Sequence, residues 1–83
     1  MTVDLLYFAW VRERVGQPRE TVRTEAPTVR ALLSELTARS EGHAAAFADT
    51  GALRCAIDQQ FADLDAPIGA AREIAIFPPM TGG

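Results

Sequence analysis

Residues 27–36 read PTVRALLSEL. Val29, Leu32, Leu33 and Leu36 recur at i, i+3, i+4 and i+7, the spacing that gathers apolar side chains on one face of a helix. Thr28 stands just before the run, where a hydroxyl can accept a first-turn backbone N–H and cap the helix. Ser40-Glu41-Gly42 predicts its end. Glu35 and Arg39 are spaced as an i, i+4 ion pair on its wet side. This is the strongest helical signal in the chain, and period-two alternation dominates on both sides of it.

Toward the N-terminus, Arg19 to Glu25 alternates Thr and Val with polar residues and reads as a strand. Gly16-Gln17-Pro18 breaks the chain before it. Trp10 to Val15 has room for one or two helical turns, with Val11 and Val15 at i, i+4. Residues 2–9, TVDLLYFA, read as a strand with Val3, Leu5 and Tyr7 on one face and Asp4, Leu6 and Phe8 on the other. Toward the C-terminus, His43 to Asp49 reads as a short helix around Phe47. Leu53, Cys55 and Ile57 then alternate with Arg54, Ala56 and Asp58 as a half-buried strand. Phe61 to Ile68 is short and irregular, with a turn at Pro67. Glu73 to Phe77 is the last strand, and Pro78-Pro79 ends it because proline has no N–H for a ladder.

The order is strand, strand, helix, short helix, strand, short strand, strand. It predicts an α+β fold: a mixed sheet of about four to five strands with one main amphipathic helix across it. The β-grasp arrangement satisfies this order, with the first and last strands parallel neighbours in the sheet centre. Residues 1–77 form the domain and 78–83 a C-terminal tail.

The chain has 83 residues, of which 48% are hydrophobic, enough for a single core. Net charge is −3, and all eight basic residues are Arg. That balance argues against nucleic-acid binding, which needs clustered cations. No run approaches the roughly 20 apolar residues of a membrane span. The N-terminus carries an early acid and no basic segment, so it is not a signal peptide, and a cytoplasmic protein is expected. The single Cys55 excludes an internal disulfide, lacks metal-ligand company, and is read as an inert core residue. His43, the only histidine, has no sequence neighbours for a pair or triad and is read as a surface helix residue. No metal or bound cofactor is expected.

The chemistry lies in the tail, Pro78-Pro79-Met80-Thr81-Gly82-Gly83. Six extended residues reach about 20 Å, enough to enter another protein's active site while the domain stays outside. Glycine leaves the terminal carboxylate uncrowded and tolerates unusual backbone angles. Adenylation would turn that unreactive acid into a good acyl donor, and sulfur could displace the nucleotide to leave a thiocarboxylate. Near the tail, alternation places Phe8 and Phe77 on the sheet face opposite Val3, Leu5 and Tyr7. That permits either an exposed docking pair, which Phe61 and Trp10 could extend, or simple core packing.

LLYFAWVRERVG at 5–16 and EIAIFPPMTGG at 73–83 resemble the small subunit of molybdopterin synthase. The middle of the chain agrees in layout, through Pro27-Thr28-Val29, Ala56-Ile57-Asp58-Gln59 and Asp65 to Ile68. The FPP-x-[ST]-GG ending is the most specific element. The sequence departs from the usual pattern at Met80, where Val is common, at Asp58, at Trp10, and at Gly69 to Glu73, which lacks an acidic Gly-Asp-Glu turn.

The resemblance implies a ubiquitin-like β-grasp and a concrete role. Gly83 is adenylated with ATP by a ubiquitin-activating-type adenylyltransferase and then thiocarboxylated. The loaded tail enters the large subunit of molybdopterin synthase, in a heterotetramer, and gives sulfur to cyclic pyranopterin monophosphate. The chain is then a non-catalytic, sulfur-donating subunit. The family's partner contacts fall on Phe8, Phe61 and Phe77, and its arginine on Arg12. Alternatives are a sulfur carrier for thiamin, cysteine or tRNA thiolation, or a ubiquitin-like protein modifier. The absence of Lys excludes lysine-linked chains of the protein itself.

Overall fold

A computed structural model describes residues 1–79. Five strands form one sheet: β1 (Thr2–Tyr7), β2 (Arg19–Arg23), β3 (Arg54–Ile57), β4 (Gln60–Ala62) and β5 (Glu73–Phe77). Their order is β2-β1-β5-β3-β4, with β1 and β5 parallel and the other pairs antiparallel. The helices are α1 (Ala9–Val15), α2 (Val29–Thr37) and α3 (Glu41–Ala46), and a single 3₁₀ turn spans Thr50–Ala52. This is the β-grasp arrangement expected from the order of elements.

Alternation decides what the sheet buries. Val3, Leu5 and Tyr7 of β1, Cys55 of β3 and Ile74 and Ile76 of β5 all point to one side, each almost fully buried. Val29, Leu32, Leu33 and Leu36 of α2 meet them in a single core. Thr28 caps α2 as expected, its hydroxyl accepting from the Ala31 N–H at 3.1 Å. The β3–β4 turn is two residues, Asp58 and Gln59, both at positive φ, the geometry that suits a tight hairpin. The Asp58 carboxylate accepts from the backbone N–H groups of Arg72 and Glu73, tying that turn to the start of β5.

Several local expectations are corrected. The short helix expected over His43 to Asp49 is α3, Glu41–Ala46, and Phe47 is its C-cap. β1 ends at Tyr7 and β2 at Arg23, each two residues short of its expected span. α2 ends at Thr37, and Ser40 instead caps α3, accepting from the His43 N–H at 3.1 Å. Glu35 accepts from the Thr24 hydroxyl at 2.8 Å, and among the described residues no ion pair joins it to Arg39.

His43 is the largest correction. It is 7% exposed, not a surface residue. Its Nδ1 lies 2.6 Å from the Ser40 hydroxyl and its Nε2 lies 2.6 Å from Glu20 Oε2, which also accepts from the Tyr7 hydroxyl at 2.7 Å. Tyr7, His43 and Phe47 pack ring against ring, with centroids 5.9 to 6.4 Å apart. The network joins β1, β2 and α3 through residues far apart in sequence, which is why local reading missed it. Buried polar groups need partners, and among the described residues no buried side-chain polar atom lacks one.

Candidate functional site: the open sheet face and the exit of the tail

Helices cover one side of the sheet, and the side chains of the other side fall into rows set by register. Leu6 pairs with Ala75, Ala75 with Ala56, and Ala56 with Phe61. This gives an apolar row across four strands. The next row holds Phe77 and, across from it on β3, Arg54. Phe8 follows β1 into the same end of the sheet, its N–H donating to the Ile76 carbonyl at 3.2 Å. Because β1 and β5 run parallel, Phe8 and the end of β5 meet at one edge, where the chain leaves through Pro78-Pro79.

Neither Phe8 nor Phe77 is core. Phe8 is 47% exposed, Phe77 is half-buried, and Phe61 is 84% exposed. The Phe61 and Phe77 rings lean on each other with centroids 5.8 Å apart. Desolvating rings of this size is a main source of binding energy at protein interfaces. Phe8 stays outside because the chain turns sharply there: it precedes α1 in an extended conformation, and Ala9 follows at φ 53°. Arg12 lies on α1, exposed, one turn from Phe8. Trp10 does not extend the Phe61–Phe77 pair. It is half-buried against the core, with the Arg14 guanidinium 4.4 Å over its ring. Pro78 and Pro79 are half-buried. Met80, Thr81, Gly82 and Gly83 lie outside the described residues.

Three features of the open face were not singled out from sequence: Leu6 and Ala75, which continue the apolar row, and Arg54 beside Phe77. Alternation alone put each on its strand face. Their juxtaposition needed the β1–β5 and β3–β5 registers.

The titratable groups offer no rival centre among the described residues. Burial, helped by the Glu20 carboxylate, pushes the Tyr7 phenol far above its ordinary range. Burial also pushes the Cys55 thiol up, away from the reactive thiolate, and its sulfur contacts the Ala62 carbonyl at 3.3 Å. The Asp65 carboxyl is held below its usual value by a hydrogen bond from the Arg30 guanidinium at 2.6 Å on the surface. No cluster of three metal-ligating side chains occurs among the described residues. No helix among them is long and apolar enough to cross a membrane.

The family profile described as the ThiS family matches residues 5–83. The chain belongs to the ThiS family. The chain is 41% identical over 81 residues to the molybdopterin synthase sulfur carrier subunit of Escherichia coli (strain K12), covering 98% of this chain and 99% of that protein. Two solved structures share the fold. SAMP1 from Haloferax volcanii superposes with a TM-score of 0.73 at 22% identity, covering all of both chains. A chain of the complex of subunits 1 and 2 of molybdopterin-converting factor from Helicobacter pylori 26695 superposes with a TM-score of 0.65 at 19% identity, again over all of both chains. This ThiS-family chain therefore pairs a ubiquitin-like domain with an exposed aromatic face at its C-terminal edge.

Proposed function

We propose that this chain is the sulfur-carrier subunit of a molybdopterin synthase, donating sulfur from Gly83 without catalytic groups of its own. The observation that carries the reading is the cluster of exposed Phe8, Phe61 and half-buried Phe77 where the tail leaves the sheet. The strong relationship to a sulfur carrier subunit supports the cargo. An adenylyltransferase of the ubiquitin-activating type joins the Gly83 carboxylate oxygen to the α-phosphorus of ATP, and pyrophosphate leaves. Hydrosulfide from the sulfur donor adds to the acyl carbon and displaces AMP, leaving the terminal thiocarboxylate. Docked through the open face, the domain directs the tail into the large subunit's active site. There the sulfur passes to cyclic pyranopterin monophosphate, and water restores the glycine carboxylate. The domain's part is positioning: the sheet aims the tail, and the proline pair keeps its base from re-entering the ladder.

Intact mass spectrometry tests this. Incubated with its activating enzyme, ATP and a sulfur donor, the chain gains about 16 Da, one oxygen replaced by sulfur. Deleting Gly83 abolishes the gain. Addition of the large subunit and pterin precursor then yields molybdopterin and returns the original mass. An unchanged mass under conditions that charge an established carrier refutes the reading. A charged chain that makes no molybdopterin but restores another thiolation pathway refutes its pterin-specific part.

A further inference from the structure

Arg54 opens β3 directly across from Phe77 on the open face. Residues opposed in this way have Cβ atoms about 5 Å apart, so the arginine stem and the ring are neighbours. The guanidinium is held in place on one side only. Its Nη1 donates to the Leu53 carbonyl at 2.7 Å and the Gly51 carbonyl at 3.2 Å. Its Nε and Nη2 have no acceptor among the described residues, and no described carboxylate pairs with it. Arg30, which lines an open groove together with Arg54 and Phe61, is different: its donors go to Asp65 and Thr50.

A half-used guanidinium beside Phe77 and Phe61 constrains what can cover those rings. Desolvating a cation without an acceptor is costly, whereas a carboxylate meets its planar fork with two parallel hydrogen bonds. The rest of the chain repels such a carboxylate, since its net charge is −3. Attraction at Arg54 is therefore local, and it discriminates among partner surfaces more than it adds general affinity. We propose that Arg54 sets the specificity of the docking face by gripping a carboxylate of the protein that receives the tail, at the edge of that protein's apolar contact. The inference rests on the docking reading above, and the partner is the large subunit named there.

Calorimetric titration of the full chain with the large subunit from the same genome, at low and high salt, tests it. Arg54→Glu weakens binding about 30-fold or more and reverses the salt dependence, because salt then screens a repulsion. Arg54→Leu weakens binding about three- to tenfold and flattens the salt dependence, and it remains informative if the Glu variant folds poorly. Arg39→Glu makes the same charge change at an exposed residue just past the end of α2 and stays within about twofold of the parent. Phe77→Ala weakens binding whatever Arg54 does. If Arg54→Glu and Arg54→Leu bind as the parent does while Phe77→Ala does not, the Arg54 proposal falls and the docking face stands. If Arg39→Glu is as harmful as Arg54→Glu, net charge is the cause and the proposal falls. If Phe77→Ala also binds normally, the docking reading itself is wrong.

Discussion

Gly42→Ala sets two opposed effects against each other. Gly42 is the second residue of α3, and replacing glycine by alanine inside a helix ordinarily stabilises by up to about 1 kcal/mol. The packing says otherwise. A Cβ at this position would lie 2.8 Å from the Arg14 carbonyl oxygen and 3.0 Å from that of Val15, both backbone atoms at the end of α1. No rotamer change relieves that contact, so α1 and α3 must move apart by several tenths of an ångström. Overpacking of this kind costs about 1–3 kcal/mol. A first-turn position gains less than the full propensity term, leaving a net loss of about 1–2 kcal/mol. For a domain of this size that is a fall in Tm of about 5–15 °C. Thermal unfolding followed by far-UV circular dichroism measures it, with urea titration as an independent check on two-state behaviour. Gly51→Ala is the comparison: its nearest neighbour is a movable side-chain oxygen of Asp49 at 3.2 Å, so its loss is smaller. A Gly42→Ala protein that melts at or above the parent would refute the close-packed α1–α3 contact.

The Tyr7 network makes a pH prediction. Burial and Glu20 raise the phenol's pKa in the folded state, so above pH 10 the unfolded chain loses a proton that the folded chain keeps. Stability is then fully present below about pH 10 and falls above it by about 1.4 kcal/mol per pH unit from this group. Tyr7→Phe should be less stable at neutral pH by about 1–2 kcal/mol, through loss of a hydrogen bond to a carboxylate, and should show a shallower alkaline decline; equal alkaline slopes in denaturant titrations would count against the buried phenol. On the open face, Phe61→Ala should change folding stability by less than about 0.5 kcal/mol, since the ring is 84% exposed. The same change should weaken large-subunit binding about tenfold or more, and normal binding would remove Phe61 from the interface.

His43 and Cys55 show the limits of local reading from opposite sides. Cys55 was legible as buried because Leu53, Cys55 and Ile57 alternate with more polar neighbours, and a strand's faces follow directly from a period of two. His43 was not, because its partners Glu20 and Tyr7 arrive from strands 23 and 36 residues away, and nothing near it in the sequence marks them. Gly42 looked like a helix stop for the same reason: a glycine that allows two backbones to touch and a glycine that ends a helix are identical in sequence. Phe8 and Phe77 stood between these cases. Alternation fixed their face, but whether that face was covered depended on which side the helices took.

The tail's composition, the helical stripe of α2, the alternation in β1 and β5 and the proline stop after Phe77 are local properties. The residues themselves determine them, because they follow from covalent geometry and the two backbone periods. The functional face is not local. The row from Leu6 through Ala75 and Ala56 to Phe61 joins four strands, and Arg54 meets Phe77 only through the antiparallel β3–β5 register. Register depends on how the whole chain closes around α2 to bury its apolar faces, so only the tertiary structure could decide which aromatic rings and which cation stand together where the tail begins.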